Sequence, residues 1–177
     1  MNTIVLLTII LAVLVVITGW ILSLLLKHYF DNRQKERLLQ MKLDERREAL
    51  KVVTPIRLQA YERVALFLER ISPNSLVLRC YQPGMDLKLL QGVMTKNIRD
   101  EWEHNLSQQV YVSEELWAHV REAKDEMVNL VNSSAVSLTD TDDPTRLAAT
   151  IFASSADRIP TDEALAALHK ELKELFG

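Results

Sequence analysis

The chain opens with an apolar run that predicts its first element. Residues 4–26 carry no charge, and only two threonines, one glycine and one serine interrupt side chains that are otherwise aliphatic or aromatic. A helix of this length rises about 34 Å, enough to cross the roughly 30 Å hydrocarbon core of a bilayer. We therefore predict a transmembrane anchor over residues 1–26 that contacts the lipid bilayer through residues 4–26.

A cleaved signal peptide is the alternative interpretation of this run. Signal peptides start with basic residues, have a shorter apolar core and end at a small-x-small cleavage site. Met1–Thr3 carry no charge, and the apolar run is too long. The pattern favours a helix that is retained.

Charge on the two sides of the apolar run predicts its orientation. Residues 27–51 contain eight basic and five acidic side chains, a net charge of +3, whereas residues 1–3 carry none. Because the basic flank of a membrane helix stays in the cytoplasm, we expect a single-pass protein whose amino terminus is outside and whose C-terminal domain is cytoplasmic.

Residues 27–53 form the predicted juxtamembrane neck. This segment lacks Gly and Pro and is rich in strong helix formers, so the membrane helix is expected to continue through it. Its charge suits a position near anionic headgroups, and an ordinary solvated helix explains the same composition. Leu39, Leu43 and Leu50 follow a short heptad-like line that leaves dimerisation through the neck as a hypothesis.

Beyond the neck, apolar residues recur at helical spacing and predict a helical core domain over residues 54–132. Thr54 and Pro55 predict that a new helix begins there, and Pro73, Asp86 and Ser113 predict three further helix starts. The expected core positions are Ala60, Val64, Phe67, Ile71, Leu87, Leu90, Met94, Ile98, Trp102, Leu106, Leu116, Val120, Ala123, Met127 and Leu130. Residues 76–82 and 109–112 fit a helix, a strand or a loop.

The last part of the chain predicts a polar linker over residues 133–143 and a helical hairpin over residues 144–177. Asp143 with Pro144, and later Thr161, supply the two helix starts. Asp140, Asp142 and Asp143 resemble a calcium loop, but the required glycine and closing glutamate are missing. The complete pattern is all-α: a transmembrane helix, a charged neck helix and a small cytoplasmic helical bundle.

Composition excludes several classes of function. The four glycines are too dispersed for a phosphate-binding loop, and Cys80 is the only cysteine, so no intrachain disulfide or cysteine-rich zinc site is expected. Residues 52–177 carry a net charge of −6, which disfavours nucleic acid as a partner. We expect no cofactor.

One short motif suggests metal chemistry. Glu101 and His104 form Glu-x-x-His, which di-iron carboxylate proteins use in pairs together with two further glutamates. Only one such unit occurs, and His104 stands in the last turn of its helix, where an imidazole interacts favourably with the dipole. They are weak metal candidates, with Glu62 or Glu69 as possible additional ligands.

His119, with Glu115, Glu122 and Glu126 at helical contact spacing, has the pattern of a solvated histidine.

The segment PIRLQAYERVALFLERISPNSLVLR, with YQPGM and IRDEWEHNLSQQVYVSEELW, resembles a family of uncharacterised bacterial single-span membrane proteins. The resemblance covers about residues 50–132. It implies a short N-terminal anchor in the bacterial inner membrane, a helical cytoplasmic region, and no assigned activity or cofactor.

Together these patterns lead us to expect a membrane-anchored interaction or scaffold module, not an enzyme, with a protein partner or a second copy of itself. A membrane-tethered enzyme or metal protein using Glu101 and His104 is one alternative. A small accessory subunit of a larger membrane complex is the other, since Gly19 and Ser23 would permit close helix approach.

Overall fold

The computed structural model describes residues 2–139 and 143–176, and every regular element in these residues is a helix. The chain divides into an N-terminal unit, residues 1–53, and a C-terminal unit, residues 54–177. Six α-helices and one short 3₁₀ helix occur in the described ranges: α1 Asn2–Ile71, α2 Pro73–Cys80, α3 Leu87–Asn105, the 3₁₀ helix Leu106–Val110, α4 Glu114–Val136, α5 Pro144–Ser154 and α6 Asp162–Phe176.

Helix α1 contains the predicted anchor and neck. Every side chain that is described between Thr3 and Val53 is exposed. Two ion pairs at helical spacing lie in the neck, Asp44 with Arg47 at 3.8 Å and Glu48 with Lys51 at 2.6 Å. Such exposed pairs contribute only a few tenths of a kcal/mol, so the helix depends mainly on the propensity of its residues.

The predicted helix start at Thr54 is wrong, because Pro55 lies inside α1. Proline has a φ angle that suits a helix, but it lacks the N–H that would bond to the carbonyl of residue 51. Lys51 and Pro55 are both exposed, so water can reach that carbonyl. An exposed site therefore tolerates a residue that a buried helix would exclude.

Helix α4 is central in the C-terminal unit and packs against α3, α5 and α6, while α2 packs against α3 and α5. The end of α1 contributes Tyr61, Val64, Phe67, Leu68 and Ile71 to the common core. Three aromatic rings join α1, α3 and α4: the Phe67 and Trp102 centroids are 5.9 Å apart, and Trp102 stacks on Trp117 at 4.9 Å.

Most of the predicted core positions are confirmed as buried, with three differences. Trp102 and Leu130 are only half-buried, and Leu106 is exposed. Leu106 lies in the 3₁₀ helix that follows α3, where the tighter turn no longer follows the spacing of the α-helix. In α4 the core line moves from Leu130 to Val131, which is fully buried.

Residues 76–82 and 109–112 form no strand. Residues 76–80 are the end of α2, and Tyr81 and Gln82 are irregular. Residues 109 and 110 end the 3₁₀ helix, and a turn follows.

The predicted linker begins too early, because α4 continues through residues 133–136. Ser134 and Ala135 are buried in this extension, so packing continues a helix that the polar sequence did not predict. Asp140 and Asp142 of the rejected calcium loop lie outside the described residues. Asp143 accepts a hydrogen bond from the Thr145 N–H at 2.8 Å, and this cap confirms the predicted start of α5.

Candidate functional site

Glu101, the first metal candidate, lies in an ion-pair cluster that joins three helices. Its Oε1 accepts hydrogen bonds from Arg70 Nε at 2.7 Å and from Arg79 Nη1 at 3.4 Å, and Arg70 Nη2 lies 2.7 Å away. Arg79 also donates to the Arg70 carbonyl at 2.9 Å. The Glu101 side chain is 17% exposed. Its arginine partners therefore connect the end of α1 and the end of α2 to α3.

His104, the second candidate, has a different partner. The ring is exposed, and Nδ1 lies 2.7 Å from the Asp100 carbonyl oxygen one turn earlier. Because a carbonyl only accepts, Nδ1 carries the proton in this contact. His104 is thus a residue of the last turn of α3. Its hydrogen-bond partner differs from those of Glu101, so the two metal candidates do not form one site.

The remaining acidic candidates are dispersed. Glu62 and Glu69 are exposed on α1. His119 Nδ1 lies 4.0 Å from Glu122, whereas Glu126 instead accepts a hydrogen bond from Arg158 at 3.1 Å. Within residues 2–139 and 143–176, no three His, Cys, Asp or Glu side chains are grouped so that they could hold one metal ion.

Another polar site, away from the metal candidates, lies around Glu171 of α6. Glu171 Oε1 accepts a hydrogen bond from the Tyr61 hydroxyl at 2.6 Å and from the Ser113 N–H at 3.0 Å. Glu171 Oε2 accepts from the Ser113 hydroxyl. Arg57 donates to the Tyr61 oxygen at 2.9 Å and to the Tyr111 carbonyl at 3.1 Å. We call Arg57, Tyr61, Ser113 and Glu171 the Glu171 cluster.

Burial and hydrogen bonds shift the pKa values of two members of the Glu171 cluster. Burial alone would raise the pKa of Glu171, but the bonds from Ser113 and Tyr61 and the charge of Arg57 outweigh it, so the pKa is lowered. Burial, together with the Glu171 carboxylate, raises the pKa of Tyr61 to about 12. The cluster is therefore a neutral phenol and an ionised carboxylate at neutral pH.

The chemistry of the Glu171 cluster is that of a connection between helices. Ser113 caps α4, because its hydroxyl oxygen accepts from the Leu116 N–H at 3.1 Å while the hydroxyl proton goes to Glu171. The Glu171 carboxylate also lies at the N-terminus of α4, where the helix dipole favours a negative charge. The cluster thus fixes α6 to α1 and to the start of α4.

Of the four residues of the Glu171 cluster, only Ser113 was predicted to have a role, as a helix cap. The Tyr61–Glu171 and Ser113–Glu171 hydrogen bonds join residues that are 110 and 58 positions apart in the chain. No residue spacing within a single helix predicts such contacts. Tyr61 lies on the buried face of α1, and a buried tyrosine hydroxyl needs a hydrogen-bond partner.

Three exposed apolar side chains are linked to the Glu171 cluster through neighbouring residues or the adjacent groove. An open groove of about 280 Å³ beside it is lined by Arg57, Glu171, Lys170 and Leu175, among others. Val110 is 76% exposed, and Tyr111 and Leu175 are also exposed. We call Val110, Tyr111 and Leu175 the apolar rim. Leu175 lines the groove, the Tyr111 carbonyl accepts a hydrogen bond from Arg57, and Val110 precedes Tyr111 in the chain.

Cys80 is a buried thiol at the end of α2. Burial raises its pKa, and the charge of the neighbouring Arg79 only partly offsets this effect. A raised pKa lowers the thiolate fraction, so Cys80 has the environment of a core residue and not of a nucleophile.

Comparison with known proteins identifies one family. A family model described as a family of unknown function, DUF7935, matches residues 1–175. No curated protein and no solved structure matches the chain.

Proposed function

The chain belongs to the DUF7935 family, and because that family has no known function, we propose one from the residues themselves. The protein is a single-pass protein of the bacterial inner membrane with its amino terminus outside. Its C-terminal unit is a cytoplasmic, small helical bundle that acts as an interaction or scaffold module.

The main support for the proposed membrane anchor is an apolar helix whose side chains are exposed. One helix in the described residues is long and apolar enough to cross a membrane, and none of its most apolar stretch is buried. Trp20, Leu22 and Leu25 are each exposed by more than half of their surface. A core helix of a soluble protein would bury such residues, because each costs about 1.5–3 kcal/mol when it is left in water. A lipid bilayer removes that cost.

The apolar rim supports the interaction role. Val110 and Tyr111 follow α3 without regular α-helical structure, and yet the Arg57–Tyr111 bond fixes the backbone there. A surface that combines fixed geometry with exposed apolar side chains suits a protein partner or a second copy of the chain.

Membrane fractionation with a reporter fused after the C-terminal residue tests the anchor. We expect the chain to resist extraction by alkaline carbonate. We also expect a reporter that works only in the cytoplasm to be active, and a reporter that works only after export to be inactive. A carbonate-soluble chain, or a reporter active only after export, would contradict the proposal.

Cross-linking in native membranes with matched variants tests the interaction surface. Val110→Asp should abolish a specific cross-linked product, whereas Val136→Asp should retain it, because Val136 is just as apolar and is 85% exposed at the far end of α4. Equal yields for both variants would remove the apolar rim from the proposal.

A role as a small accessory subunit is the second candidate, because Gly19 and Ser23 form a small-x-x-x-small pair on the apolar run. Ser23 donates a hydrogen bond to the Trp20 carbonyl of its own helix at 2.8 Å, so its hydroxyl needs no partner on another helix. This face can therefore accept another membrane helix at close range. Gly19→Leu should then dissociate a larger complex on a native gel, and an unchanged complex would contradict this candidate.

A further inference from the structure

The three turns that follow the apolar run, residues 27–37, carry a concentrated charge. Four basic and two acidic side chains lie there, a net charge of +2. All of their side chains are exposed. The basic residues are Lys27, Arg33, Lys35 and Arg37.

Within this segment, Arg33 points back towards the apolar run. Its guanidinium carbon lies 5.4 Å from the centroid of the Tyr29 ring, one turn closer to the amino terminus. Tyr29 itself meets Phe30 edge to face at 5.9 Å. Side chains on a helix lean towards its N-terminus, so the charged group of Arg33 reaches the level of the two aromatic rings.

That level matches the polar layer of a bilayer. Tyr29 lies about 4.5 Å beyond Leu26 along the helix axis, and the headgroup layer on each side of the hydrocarbon core is roughly 5–7 Å thick. Aromatic rings favour this layer, and basic side chains there meet lipid phosphates.

We propose that residues 27–37 form a collar that binds anionic phospholipid headgroups, with Lys27 and Arg33 at the level of the phosphates and Tyr29 and Phe30 in the interface. This inference rests on the proposed membrane anchor. Lys27 and Arg33 lie about 120° apart around the helix axis, so they contact different lipids of the surrounding annulus.

The observations favour a lipid over a soluble phosphate. The collar is continuous with the apolar run, and the aromatic pair beside Arg33 offers a surface for acyl chains and glycerol but nothing for an inorganic anion. Asp31 opposes the attraction, because it reduces the net charge of residues 27–33 to +1. It therefore provides a variant with the opposite effect.

Lipid selectivity at the surface of the full chain tests the collar. The chain is reconstituted in vesicles of phosphatidylcholine and phosphatidylglycerol at seven to three, and spin-labelled versions of each lipid report which one occupies the protein surface. We expect a preference of roughly two- to fivefold for phosphatidylglycerol. Lys27→Gln with Arg33→Gln should reduce the preference to about one, and Asp31→Asn should increase it.

The matched control is Arg46→Gln with Arg47→Gln, which removes the same charge about 30 Å along the helix from Leu26 and should leave the preference unchanged. Salt at 0.5 M should weaken the preference, because it screens exposed charges. Glycerol phosphate added at constant ionic strength should not compete. Competition by glycerol phosphate, or an equal loss in the control, would overturn the proposal.

Failure of the anchor and failure of the collar are distinguishable. A chain that alkaline carbonate removes from the vesicles refutes the anchor, and the collar with it. A chain that stays in the vesicles but shows no preference for phosphatidylglycerol refutes the collar alone.

Discussion

Replacement of Glu171 tests whether the Glu171 cluster holds α6 in place. Glu171→Ala leaves the buried Tyr61 hydroxyl and the Ser113 N–H without their acceptor. A hydrogen bond to a charged group contributes about 1.5–3 kcal/mol, and water from the adjacent open groove recovers part of the loss. We therefore expect a decrease of about 2–4 kcal/mol in the free energy of unfolding. Glu171→Gln keeps one acceptor oxygen and should cost about half as much.

The measurement is a urea titration of the full chain in a mild detergent, followed by tryptophan fluorescence. Trp102 is half-buried against the core of the C-terminal unit and stacks on the buried Trp117, so their emission reports unfolding of this unit. Trp20→Phe in every variant removes the signal from the apolar run. Glu174→Ala is the matched control, because Glu174 is an exposed glutamate of the same helix.

The effect should also depend on pH. The pKa of Glu171 is lowered in the folded chain, so its stabilising contribution is fully present above the ordinary value of 4.5 and is lost as the pH falls through the lowered value. The difference between wild type and Glu171→Gln should therefore be constant from pH 8 to pH 6 and shrink below about pH 4. If Glu171→Ala matches the control within about 0.5 kcal/mol, the cluster does not hold α6 and our reasoning is refuted.

Three further predictions follow from the C-terminal unit. Glu101→Gln should lower the free energy of unfolding by about 1–2 kcal/mol, and His104→Ala should lower it by less than about 0.5 kcal/mol. Elemental analysis of the wild-type chain should find no bound metal. A metal that is bound in wild type and lost in both variants would support the metal alternative instead. Ser134→Ala should leave the free energy of unfolding unchanged or raise it by up to about 1 kcal/mol in the same titration. The reason is that the buried Ser134 hydroxyl has no hydrogen-bond partner in the described part of the chain. A clear destabilisation would show that such a partner exists. Cys80 should react with a thiol reagent at pH 8 only as urea unfolds the chain, and rapid labelling of the folded chain would contradict its burial.

The parts of the fold that depend on local chemistry were predictable from the sequence. Asp86, Ser113 and Asp143 were predicted as caps, and each accepts a hydrogen bond from a backbone N–H two or three residues later. A cap joins a side chain to its own first turn, so the sequence contains both partners. The ends of helices were less predictable, and α4 continues past Asn132 because packing of Ser134 and Ala135 outweighs their polar neighbours.

The candidate site was not predictable for the opposite reason. The sequence drew attention to Glu101 because His104 lies one turn away, but the partners of Glu101 are Arg70 and Arg79, 31 and 22 positions earlier. The Glu171 bond to Tyr61 spans 110 positions. Such pairs appear only after the helices pack, because many arginines and glutamates in a chain of this composition have equivalent local surroundings.

The charge pattern of the neck bears on whether two copies associate through it. If two chains share one membrane and orientation, their necks are parallel, and the line through Leu39, Leu43 and Leu50 becomes the seam of a coiled coil. Arg46 then occupies a core position of that seam. Lys42 of one copy also flanks the seam opposite Arg47 of the other, where two like charges repel. The leucines are exposed, but these three basic residues oppose their burial between copies, so self-association is better sought at the apolar rim or along the apolar run of residues 4–26.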